Sequence, residues 1–176
     1  MAMDLITTNT SSGAASSDFT TGIDSTYKLY IFKFYDVNPA TDATALSFQV
    51  NAVGGSGFNE TITSTFFWAK HQENDASTSL GYRTGDDQAQ GTSYQTIAAS
   101  VGSGADECAS GILHLFNPAS TTYVKHFTSR SNWYDPNYSI DGFSAGYINT
   151  TSAIDEISFK MSSGNMDAVI KMYGVG

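Results

Sequence analysis

The residues with chemistry to offer are few and scattered. His71, His114 and His126 are the only histidines, and their separations fit no recognised zinc spacing. If the strands around Ile112 and Tyr123 pair through the turn NPAST, His114 and His126 become cross-strand neighbours, yet a metal would still lack its third and fourth ligands. Carboxylates sit side by side at Asp86-Asp87, Asp106-Glu107 and Asp155-Glu156. Glycoside hydrolysis needs two of them about 5 to 10 Å apart across a sugar. Adjacent acids in a strand point to opposite faces instead, and acids in glycine-rich loops are normally solvated. Cys108 is the only cysteine, so it forms no internal disulfide, and no family signature surrounds it. No GxSxG, phosphate loop, paired CxxC, calcium loop or dinucleotide fingerprint occurs. The reading is a protein without catalysis, metal or cofactor.

One cluster looks built for contact. Trp133, Tyr134 and Tyr138 lie in NWYDPNYSID, read as an aromatic loop. Such rings with neighbouring Asp and Asn suit a sugar face, and they suit a protein interface, where Trp and Tyr are enriched. The interface reading is preferred, with a glycan as the other ligand.

The rest of the chain must position these residues. It has 176 residues, enough for one domain that buries roughly 70% of its unfolded surface without disulfide or metal staples. Only 14% of residues are charged, and the net charge is -9. Nucleic acid is a poor partner for such a body, because phosphate binding needs clustered Lys and Arg. No apolar run is long enough for a membrane helix, and the start has neither the basic nor the apolar part of a signal peptide. Synthesis in a cytoplasm is expected.

Short apolar stretches rich in β-branched and aromatic residues are separated by Ser, Gly, Asn and Asp, and strong helix formers are sparse. From Tyr27 to Asp36 both faces are apolar, which suits a central strand or one covered by a partner. Leu46, Phe48 and Val50 alternate with Ser47 and Gln49, and Ile62, Phe66 and Trp68 alternate with threonines. NAVGGSGFN and SSGN read as hairpin turns. Residues 71–107 are the least regular, with short strand candidates at Leu80 to Arg83 and Tyr94 to Ile97. Eight or nine strands at this spacing predict an all-β, jelly-roll-like antiparallel sandwich over residues 22–176. Residues 1–21 read as a polar N-terminal arm with too little apolar surface to order itself. Its anchors on a neighbouring subunit or a different protein would be Leu5, Ile6 and Phe19.

The phrases FTTGIDSTYKLYIFKFYDVNPATDATALSFQV, GSGFNETITSTFFWAKH, GYRTGDDQAQGTSYQ and SGILHLFNPASTTYVKHFTSR, with the ending AGYINTTSAIDEISFKMSSGNMDAVIKMYGVG, resemble a family of small virion structural proteins of marine tailed phages. The resemblance runs from Phe19 over nearly the whole chain and carries no active-site residues. It implies a virion protein on the particle surface, made in the host cytoplasm. The expected role is head decoration or cement, as a dimer or trimer docked on the major capsid protein or other virion proteins. The alternative is the receptor- or glycan-binding head of a tail or head fibre.

Overall fold

Alternation is the local rule this chain follows most closely. The computed structural model describes residues 2–176; Met1, the first residue of the expected arm, lies outside them. In β3 (Leu29–Pro39) the side chains of Tyr30, Phe32 and Phe34 are fully buried. So are Leu46, Phe48 and Val50 of β4 (Thr44–Ala52), as a period-two pattern with one core face requires. Phe159 of β11 (Ile154–Met161) and Ile170 and Met172 of β12 (Met166–Val175) close the same core.

The remaining strands are β1 (Met3–Ala14), β2 (Ser17–Phe19), β5 (Ile62–Gln72), β6 (Thr78–Tyr82), β7 (Gln95–Val101), β8 (Ala109–Phe116), β9 (Lys125–Asp135) and β10 (Tyr138–Ile148). An eight-stranded sheet runs β1-β12-β3-β8-β9-β10-β5-β6, and a four-stranded sheet runs β2-β11-β4-β7. Every pairing is antiparallel. The two sheets pack as a jelly-roll-like sandwich. Twelve strands form where eight or nine were expected, and the additions include two in the arm.

The passage between sheets explains the topology. β3 pairs with β12 in the large sheet, and β4 pairs with β11 in the small one. At the corner Ala40 N donates to Asn165 O (2.8 Å) and Ser162 N donates to Ala45 O (2.8 Å), so one paired ribbon bends across both sheets. Gly164 turns there at φ 73°, a left-handed conformation that an L side chain resists, and an added Cβ would strike Thr41. The SSGN turn is therefore a corner between sheets and not the hairpin expected from sequence. NAVGGSGFN likewise carries the chain from β4 in one sheet to β5 in the other. Turn residues mark a reversal but do not reveal which sheet the next strand joins.

The arm corrects a second expectation. β1 pairs along its length with β12, and β2 pairs with β11. Backbone hydrogen bonds within the chain pair this segment into both sheets, and the sandwich begins at residue 3. A composition too polar to form a core can still add a strand, because the ladder is built from main-chain groups.

The small sheet's outer face is closed. Ser47, Gln49, Asn51 and Ser158 point away from the core yet are buried. Gln49 Nε2 lies 2.9 to 3.1 Å from the carbonyls of Glu60, Thr92 and Ser93, and Gln49 Oε1 accepts from Val50 N. Tyr94 donates its hydroxyl to Ser158 Oγ. Loops 53–61 and 83–94 thus lie over this sheet, tied down by a buried amide.

Candidate functional site: the open face of the large sheet

Among the described residues no loop covers the middle of the other face, where Thr65, Phe67, Thr128, Arg130 and Ala145 are exposed. Across it, register aligns Lys171, Lys33, Ile112, Arg130, Phe143, Phe67 and Tyr82 in one row perpendicular to the strands. Strand spacing of about 4.8 Å makes such a row the natural unit of a sheet surface. Phe67 and Phe143 stack face to face, 4.9 Å apart and 6° from parallel. The Arg130 guanidinium covers the other side of Phe143 at 4.9 Å and is held by Asp141 through two hydrogen bonds of 3.1 and 2.8 Å. Both faces of Phe143 are therefore occupied. Beside this ladder lies a shallow groove of about 370 Å³ lined by Ser110, Gly111, Arg130, Asn132 and Asp141.

Lys33 and Lys171 stand directly opposite each other, an unfavourable like-charge pair. They splay diagonally, Lys33 toward the Tyr173 ring (5.3 Å) and Lys171 toward the Tyr35 ring (5.8 Å). Neither pairs with a carboxylate among the described residues. A corner of the same face is apolar. Met3 and Leu5 of β1, Val175 and Tyr173 of β12, Leu29 of β3 and Phe116 of β8 adjoin by register. Met3, Leu5 and Phe116 are exposed.

The residues singled out from sequence disperse. Leu5 is on this open face, half exposed at 54%. Tyr134 points to the same face, and its hydroxyl accepts from Asn137 N in the β9–β10 turn. Phe19 and Trp133 are core residues, 2% and 1% exposed, and correct the expectation of surface anchors. Ile6 and Tyr138 are half-buried and pack against that core. NWYDPNYSID is no open loop but the tight β9–β10 hairpin, with Asp135 opposite Tyr138. The Trp133 indole reaches inward over Gly142, where an added Cβ would come within 2.6 Å of it. Trp68 lies 6.4 Å away, capped by Arg83 at 3.9 Å. The aromatic signal was real, but it marked packing. Phe67 replaces the expected polar residue in the series Thr63, Thr65, Phe67, a second cue to the outer face beside the two-sided apolar stretch from Tyr27 to Asp36.

The groups with chemical potential are quiet. His114 pairs with Thr128 rather than His126, and burial lowers its proton affinity. Burial, then the charge of Asp36, pushes the Cys108 thiol up, away from the reactive thiolate. Among the described residues no group of three or more His, Cys, Asp or Glu is placed to hold a metal ion, and no helix is long and apolar enough to cross a membrane. Four of the six adjacent acids are tied separately, Asp86 to Arg83, Asp87 to the Tyr82 hydroxyl, Glu107 to Gly104 N and Glu156 to Asn51, while Asp155 Oδ1 is buried without a partner. Lys125 is fully buried, donating to the carbonyls of Thr150 and Ser152.

Asp135 carries a pH dependence. Burial raises its carboxyl above the usual range, Asp42 and Glu107 raise it further, and Lys70 pulls it back. The folded state therefore holds this proton to higher pH than the unfolded chain, whose value is near 3.8. Stability from this group is present below the unfolded value and is lost as pH rises through the folded one. Asp135→Asn is expected to raise the melting temperature at pH 7, with the gain fading below about pH 4. Melting curves of both proteins across that range test it; an equal gain at every pH would reject the assignment.

Compared with models of known protein families and with curated proteins, the chain finds no match.

Proposed function

We propose that this protein is a structural component of a tailed-phage virion, a decoration or cement protein of the head. It would dock on the outside of the capsid lattice through the open face of its large sheet. The observation that carries this reading is the asymmetry of the sandwich: loops close one outer face, and the other offers a broad, rigid array of aromatic, apolar and arginine side chains. Trp, Tyr, Phe, Met and Arg are the types enriched where proteins meet. The similarity of its phrases to marine phage structural proteins supports the same class, and no catalysis belongs to this reading. The body remains acidic, but Lys171 and Lys33, neither paired with a carboxylate among the described residues, lie on the open face beside Arg130, whose charge is already met by Asp141. The partner surface would therefore offer carboxylates there, not the basic patches that net charge alone suggests. Such charges set encounter and register more than affinity.

The rival role, a receptor- or glycan-binding fibre head, draws support from the polar groove beside Arg130 and Asp141. Phe143, however, has no free ring face for a sugar. Copy number in purified particles separates the two. Hundreds of copies per particle are expected, whereas a few to a few dozen would overturn decoration in favour of a tail or vertex component.

A further inference from the structure

We propose that β1 is a pairing edge whose partner is β1 of a second copy, the two strands running antiparallel about a two-fold axis near Asn9. The four sheet edges are not alike. β2, β6 and β7 span three, five and seven residues, whereas β1 spans twelve. Natural edges are guarded by shortness, by lysine, by proline or by bulges. β1, MDLITTNTSSGA, has no lysine, arginine or proline, and Asp4 is its only charge. Its two bulges, between Leu5 and Thr7 and between Ser11 and Ala14, leave Thr7 to Ser11 regular. Beside that stretch runs an open groove of about 520 Å³ lined by β1 and by Ser16, Ser17 and Asp18, with Asn9 Nδ2 donating to Asp18 O (2.8 Å).

Charge selects the occupant. Each copy carries a net charge of -9, so most surfaces of two copies repel each other. The regular part of β1 brings no charge of its own to the seam, and the acid lining the groove, Asp18, is held there by its carbonyl accepting from Asn9 Nδ2. An antiparallel strand is also complementary to itself about a two-fold axis, which gives an isologous interface. Centred on Asn9, the pairing sets Thr8 opposite the second copy's Thr10, and Thr7 opposite its Ser11. Cross-strand Thr–Thr and Thr–Ser pairs are favourable, and main-chain hydrogen bonds supply the affinity. Two eight-stranded sheets then become one continuous sheet, with both open faces on the same side. This inference rests on the edge alone and stands apart from the virion reading.

Sedimentation equilibrium of the full chain tests it, with far-UV circular dichroism and melting temperature as controls for folding. The wild type is expected to dimerise. Thr8→Asp/Thr10→Asp sets acid against acid across the axis, while within one copy residue 8 still faces Lys171. That variant is expected to stay folded and dissociate at least tenfold more readily. Mixing it with Thr8→Lys/Thr10→Lys should restore a one-to-one heterodimer, an outcome that misfolding does not produce. A wild type that stays monomeric at millimolar concentration overturns the proposal. So does a dimer indifferent to both variants, or a mixture that shows no recovery.

Discussion

Replacing Phe159 by alanine is expected to destabilise the fold by about 3 to 5 kcal/mol, the cost of a large aromatic deletion in a packed core. The side chain is fully buried. Its ring centroid lies 6.2 Å from Phe19, 5.5 Å from Phe32 and 6.4 Å from Phe48, so it joins β2, β3 and β4. Aromatic pairs at these separations add stabilisation beyond the area they bury. A domain of this kind has only about 5 to 15 kcal/mol in total. Urea unfolding of the variant should therefore show a midpoint well below the wild type with an unchanged slope. Tyr123→Ala, at 71% exposure and outside every aromatic pair, is the control and should change little. A loss under about 1 kcal/mol at Phe159 would mean that the ring's neighbours collapse into its space more completely than cores usually permit.

Removing residues 2–19 should do more: no cooperative transition should remain. Such a deletion takes away β1 and β2 together, with Ile6 and Phe19. It strips one flank of β12, whose inward Ile170 and Met172 are fully buried, and one flank of β11. Phe19 alone leaves a void against Phe32, 5.4 Å away, and against Phe159. Treated as a detachable tether, the same segment would come off a sandwich that stays folded. Near-UV circular dichroism and thermal melting distinguish the cases. A sharp transition within a few degrees of the full chain would reinstate the tether.

Much of the architecture was legible from alternation. The parity of Tyr30, Phe32 and Phe34 against Ile31 and Lys33 is what a pleated strand with one core face imposes, and it holds at every core position expected from sequence. Partnership between strands was not legible. Thr8 and Ser11 belong to a strand because β12 offers them main-chain groups, and nothing in their side chains announces it. Gln49 shows the opposite failure. A polar residue alternating with Phe48 and Val50 reads as solvent-facing, yet three loop carbonyls bury it. The candidate site was hidden for the same reason. Lys33, Arg130 and Phe67 are distant in sequence and meet only through register, while Trp133, conspicuous in sequence, fills a hollow that Gly142 leaves inside.

The pairing of β1 with β12 also sets a timetable for synthesis. Leu5 leaves the ribosome 168 residues ahead of its register partner Tyr173 (173 − 5). At about 5 to 20 residues per second, the first strand waits on the order of 10 to 30 s for its mate. The second strand waits nearly as long for β11. An apolar segment exposed for that interval would invite aggregation with neighbouring nascent chains. Threonine, serine and asparagine leave the waiting segment little apolar surface to bury against other chains, although its backbone edge stays free to pair, which gives a reason for its polar composition inside a sheet. Translation of β11 and then of β12, Ile154 to Val175, becomes the step that commits the fold, since only with both do the two sheets gain the strands that the opening segment completes.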